Sequence, residues 1–167
     1  MTEQMGLQCG VYEPLDPALL PPLYVAYSAK DSEPTEAVHN PLRARYQAGD
    51  PAVLAAMLKF AALAALAREA ILNRDAARLS ALIDENFNTR RSICQLAAAH
   101  VEMIEVARHA GASAKFAGSG GAIVGTYADE AMVEPPGDLR RRERVVLHAL
   151  VAGEQRARAV LRRGGDV

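Results

Sequence analysis

The chain has 167 residues, 50% of them hydrophobic and 23% charged, with a net charge of -1. A chain of this size and composition folds as one domain with a real core and is not a disordered segment. The near-neutral charge gives no case for nucleic acid or an anionic membrane surface as partner. Cys9 and Cys94 match no metal-ligand spacing. With no signal peptide read at the start, they are expected to be reduced thiols of a cytoplasmic protein. No apolar run reads as long enough to cross a bilayer, so no membrane is expected as partner.

In chain order, residues 1–10 read as an irregular start, and 11–15 as an edge strand, because Pro14 would leave a central ladder bond unmade. Residues 17–22 are a turn. Residues 23–27, Leu-Tyr-Val-Ala-Tyr, are β-branched and aromatic between turn signals and predict a strand. A polar loop follows from Lys30 to His39, with a helix starting near Thr35. Asp50-Pro51 predicts a capped helix with Val53, Met57, Phe60, Ala64, Ala67 and Ile71 as its core stripe. Asp75 predicts the cap of another, running to about Cys94. A last helix over 96–110 turns Leu96, Ala99, His100, Met103 and Ala107 inward, with Glu102, Glu105, Arg108 and His109 mostly solvated.

Two patterns point to chemistry. On the helix after Asp75, Asn86 and Arg90 interrupt the stripe of Leu79, Ile83 and Ile93 at a spacing of four, where they reach one point. Burying an amide unpartnered costs on the order of 2–7 kcal/mol, so such groups find internal partners or face a cleft. In a cleft, the fork of Arg90 suits a carboxylate or phosphate, with Arg91 one position round. The second pattern is Gly111, a short strand bearing Lys115, the turn Gly118-Ser119-Gly120-Gly121, and the apolar strand 122–127. Such a turn is either a plain hairpin connection or a nest of N–H groups that binds an anion. No nucleophile–base pair and no metal-ligand cluster is recognisable. His100 reads as a core histidine. Beyond Tyr127 the sequence breaks at 134–138, then runs arginine-rich over 139–163, which predicts a surface helix.

The order of helix, glycine stop, lysine strand, glycine turn and apolar strand resembles the third conserved motif of the GHMP kinases. Tyr12-Glu13-Pro14-Leu15-Asp16, Leu20-Pro21-Pro22-Leu23-Tyr24 and the run from Val38 to Tyr46 resemble the glucuronokinase branch, as do Asn86-Phe87-Asn88-Thr89-Arg90-Arg91-Ser92 and the run from Glu102 to Arg108. The resemblance covers about residues 12–127. It implies the family's C-terminal half: an α+β, ferredoxin-like antiparallel sheet with helices packed on one side. Residues 1–131 would form that domain, and 132–167 its arginine-rich helical extension.

The resemblance also implies a role. Lys115, Gly118, Ser119, Gly120 and Gly121 would bind phosphate or substrate. Asn86, Arg90, Arg91 and His39 would contact a sugar acid such as glucuronate. ATP and magnesium would be the cofactors, held mainly by an N-terminal half. That half's Pro-x-x-x-Gly-Leu-Gly-Ser-Ser motif is absent from this sequence, as is any residue to equate with the family's catalytic aspartate. The expected role is therefore one half of a sugar-1-kinase. The alternatives are a non-catalytic anion-binding module and a structural remnant that dimerises. The C-terminal end shows no closing strand, which would leave a sheet edge open.

Overall fold

The computed structural model describes residues 2–4, 7–9, 14–28, 35–129, 132, 145–150 and 158–159. The chain forms strands β1 (Thr2–Gln4) and β2 (Leu7–Cys9), a short 3-10 helix (Pro17–Leu19), β3 (Leu23–Ser28), and helices α1 (Thr35–Gln47), α2 (Pro51–Leu72), α3 (Ala76–Ile93) and α4 (Ala98–His109). Strands β4 (Lys115–Phe116), β5 (Ala122–Thr126), β6 (Val145–Leu150) and β7 (Arg158–Ala159) complete it. β1 and β2 pair as a separate hairpin in the segment expected to be irregular. The other five strands make one antiparallel sheet in the order β4-β5-β3-β6-β7.

β3 is the centre of this sheet. Tyr24 pairs with Gly125 of β5 on one edge and Ala149 of β6 on the other. Side chains alternate along a strand. Tyr24 and Ala26 accordingly point to one face, where they pack with Ile123, Phe116, Phe87 of α3, and Met103 and Ile104 of α4. α3 and α4 thus cover one side of the sheet, the α+β arrangement expected.

Two helix starts follow their caps. Asp50 accepts from the N–H groups of Ala52 and Val53, with Pro51 at the first helical position. The Arg45 guanidinium donates to Asp50 Oδ2 at 2.8 Å and holds that carboxyl below the usual range. Another Arg45 nitrogen bonds Ile93 O at 2.6 Å, joining the end of α1 to the end of α3. Asp75 accepts from Arg78 N–H and opens α3.

α2 and α3 pack through Leu63, Ala70, Leu79 and Leu82, with Phe60, Ala67, Ile71 and Ile83 at the margin. The buried stripe of α2 is Val53, Ala56, Leu63 and Ala70, rotated slightly from the expected one, and Ala64 faces out. The opposite face of α2 exposes Leu54, Leu58, Leu66 and Leu72, with Leu58 75% accessible. α2 departs from the expectation that no apolar run is so long: within its 22 residues an 18-residue stretch reaches a mean hydropathy of 1.6, enough by length and composition alone to cross a bilayer, a test that core helices of soluble proteins also pass. The alanines that dilute its hydrophobicity to the eye still sum to an apolar helix.

The C-terminal end differs from expectation too. Val145-Val146-Leu147-His148-Ala149-Leu150 is a strand where a helix was predicted, and it pairs with β3, so the C-terminal end does add a strand to the sheet. The run is apolar and starts with two β-branched residues, and the open edge of β3 offers it a full set of backbone partners. The arginines around it suggested a solvated helix only because strand pairing is not a local property. The remainder of the predicted helix, apart from β7, and most of the predicted 11–15 strand lie outside the described residues. Pro14 and Leu15 are not in a strand.

Candidate functional site

The site is the hairpin of β4 and β5 with the parts of α3 and α4 beneath it. Gly111, at φ +90°, ends α4 in a conformation that suits glycine. The chain then enters the core. Tyr24 Oη donates to Ser113 O at 2.8 Å. Ser113 Oγ pairs with Thr126 Oγ1 at 2.8 Å and accepts from Thr126 N–H at 2.9 Å. Burial, with a smaller contribution from Asp84, pushes the Tyr24 hydroxyl well above its ordinary range, so it remains a donor. Gly125 lies so close to Ser113 that a Cβ there would collide with Ser113 O.

The turn is closed by Ala117 N–H donating to Ala122 O at 3.0 Å. Arg90 reaches it from α3. Its Nη1 donates to Gly118 O at 2.7 Å and its Nη2 to Ser119 O at 3.0 Å. The guanidinium carbon lies 5.3 Å from the centre of the Phe116 ring, within reach of a cation–π contact. From α4, the His100 ring lies under Gly120, where a Cβ would come within 2.6 Å of His100 Nδ1. Gly121 takes φ +72°. The loop is therefore held by its carbonyls on one side and backed by an imidazole on another. Lys115 Nζ donates to Phe116 O at 3.2 Å. Burial, and then the charge of Arg90, hold its ammonium below the usual lysine range. Among the described residues, no carboxylate forms an ion pair with Lys115 or Arg90.

Beneath the hairpin, Phe87 and Phe116 pack edge to face at 5.3 Å, and His100 meets Phe116 at 6.0 Å. Arg108 lies over Phe87 at 5.0 Å. Its Nε donates to Asp84 Oδ1 at 2.9 Å, its Nη1 to Asn88 Oδ1 at 2.9 Å, and its Nη2 to the carbonyls of Asp84 and Ala114. Asp84 Oδ1 also accepts from Ala114 N–H at 2.9 Å. Arg108, expected on a solvated face, is instead the clamp that joins α3, α4 and the segment entering β4. Its signal in the sequence was slight: Asp84 and Asn88 flank Phe87 at a spacing of four on α3.

The other expected site residues disperse. Arg91 turns to Glu105 on α4 at 3.1 Å, both more than half exposed, and does not join Arg90. Asn86 is half-buried on α3. His39 lies in α1, and its side chain is outside the described residues. The structure therefore gathers Lys115, Arg90 and Gly118, Ser119, Gly120 and Gly121 into one positively charged corner, and leaves Arg91 out of it.

No family model matches the chain. It is similar to Glucuronokinase 1 and Probable glucuronokinase 2 of Arabidopsis thaliana, 42% and 43% identical over 119 residues. The match takes in 69% of this chain and 32% of each plant protein. The chain thus spans about a third of the length of these relatives. The fold is shared with L. major mevalonate kinase, solved in complex with R-mevalonate: TM-score 0.61 and 24% identity, covering 72% of this chain and 39% of that one. The chain is thus similar to part of the plant glucuronokinases and shares its fold with part of a mevalonate kinase.

Proposed function

We propose that the chain is the C-terminal half of an ATP-dependent sugar-1-kinase of the glucuronokinase type. The observation that carries this reading is the corner itself: Arg90 and Lys115 stand beside a glycine turn, and neither is paired with a carboxylate among the described residues. An anion offsets that charge most directly, either a phosphate group or the carboxylate of a uronic acid. Lys115 meets it as a point charge, and the loop offers backbone N–H groups at close approach. Phosphoryl transfer depends on positioning and on neutralising charge around the triphosphate. This half would orient the sugar acid or a phosphate and exclude water from that side.

ATP suits this corner through its phosphate oxygens, which accept from lysine and backbone donors. Magnesium is expected to need a carboxylate from elsewhere, since among the described residues none forms an ion pair with Lys115 or Arg90 at this corner. The metal and the catalytic base would come from a separate N-terminal half, the partner this reading requires. A cytoplasmic setting goes with it.

The test is ADP release with magnesium-ATP and glucuronic acid, on the chain alone and mixed with the N-terminal portion of a glucuronokinase. Turnover in the mixture alone, abolished by Lys115→Ala, is the expected result. Absence of turnover in a mixture of two folded proteins overturns the sugar-acid kinase reading.

A further inference from the structure

The sequence pattern made Arg90 a candidate to hold substrate, yet its fork is already occupied. Its two terminal nitrogens grip the carbonyls of consecutive residues, Gly118 and Ser119, at 2.7 and 3.0 Å. No peptide bond described here is cis. In a planar trans peptide the N–H points opposite to the C=O. Fixing the Gly118 and Ser119 carbonyls toward the guanidinium therefore turns the N–H groups of Ser119 and Gly120 to the far side of the loop. His100 reinforces this at the next residue, because its ring fills the space where a Gly120 side chain would stand.

Resting on the reading of this corner as an anion site, we infer that Arg90 is a positioning residue: it holds the two loop carbonyls back so that the far side of the loop, with the Gly120 N–H, faces the anion, whose charge Lys115 meets. Arg90 is suited to this where lysine is not. A planar fork spans two carbonyls at once and stacks on Phe116, while an ammonium is a compact, strongly hydrated point charge. Left free, a glycine-rich turn exchanges among backbone conformations of similar energy. The tether selects one of them, so the anion does not have to.

The experiment follows backbone amide signals of the full chain by NMR, during titration with inorganic phosphate and, separately, with glucuronate. It uses the wild type, Arg90→Lys, Arg90→Met and Lys115→Ala. In the wild type, phosphate moves the Ser119 and Gly120 amides. In Arg90→Lys and Arg90→Met these amides are displaced before any phosphate is added, and affinity falls about tenfold in both, although the lysine keeps the charge. In Lys115→Ala the free-state amides match the wild type and affinity alone falls. The methionine preserves packing on Phe116, so a folded variant is available for comparison.

If Arg90→Lys binds phosphate as the wild type does, or if its free-state loop amides are unchanged while binding is lost, the inference is overturned and Arg90 touches the anion directly or not at all. If the wild type itself shows no response to phosphate or glucuronate, the anion reading falls first and takes this inference with it. The two failures are thus distinguishable. A response to glucuronate alone identifies the carboxylate as the anion and leaves the role of Arg90 standing.

Discussion

Arg108 and Arg90 lie over the two rings of one aromatic pair, Phe87 and Phe116, and are otherwise opposites. Arg108 is neutralised: it meets the Asp84 carboxylate, the Asn88 amide and two carbonyls. Among the described residues, the hydrogen bonds of Arg90 go to the two loop carbonyls, and the neighbouring Lys115 adds a second positive charge. One end of the stack is satisfied from within the chain and holds the fold. The other is satisfied in hydrogen bonds but not in charge. A positive corner with no acid paired to it among the described residues is expensive to keep for stability alone, which is why it reads as a place for a ligand.

The contrast breaks most plainly at the neutralised end. Arg108→Met leaves Asp84 without its cation and is expected to cost about 2 kcal/mol in urea unfolding, below the roughly 3–5 kcal/mol of a fully buried pair because both side chains keep some solvent. A cost as small as that of a surface pair would show that Arg108 is no clamp.

At the open end, Gly120→Ala forces a methyl group against His100 and is expected to cost about 1–2 kcal/mol, largely recovered in the double variant with His100→Ala. Additive costs in that cycle would disprove the contact.

Next in size is a pH effect. Burial and Arg90 disfavour the Lys115 ammonium, so it loses its proton below the ordinary lysine value of 10.5. Phosphate affinity should therefore decline as pH rises toward 10.5, by up to about tenfold per unit once past the folded pKa. The decline should vanish in Lys115→Ala. The same sign means that the folding penalty of this charge, present at lower pH, disappears as pH rises through that window.

Arg90→Met should cost about 1 kcal/mol of stability, less than Arg108→Met, since two partly solvated hydrogen bonds are lost and no carboxylate is orphaned. Smallest of all is Arg91→Ala. Its exposed pair with Glu105 contributes at most about 0.5 kcal/mol, and phosphate binding should be untouched. An effect on binding would return Arg91 to the site.

What was legible in the sequence was local. The caps at Asp50 and Asp75, the start near Thr35, the strand at 23–27 and the glycine turn with Lys115 each follow from a few adjacent residues, and the structure has them. Asn86 and Arg90 were recognised as polar groups on a buried stripe, with internal bonding and a cleft both open. The geometry shows Arg90 bonded internally, to carbonyls 28 and 29 residues away that no spacing rule reveals. Arg108 was missed for the same reason, since its partners come from α3 and from the strand entry. β6 was missed because a strand among arginines is recognisable only when the edge it completes is known. The exposed leucines of α2 hid among alanines in a periodicity that fits either face.

The position of β3 has a consequence for how the molecule comes into being. On a ribosome, β5, its first partner, follows this strand roughly a hundred residues later, and β6 later still. Three of the helices, α2 to α4, can begin to form from local contacts in the meantime, while the central strand waits with both edges bare. An apolar strand kept waiting is a target for wrong pairing and for chaperones. Slow synthesis, which favours many proteins, would lengthen the most vulnerable interval of this one.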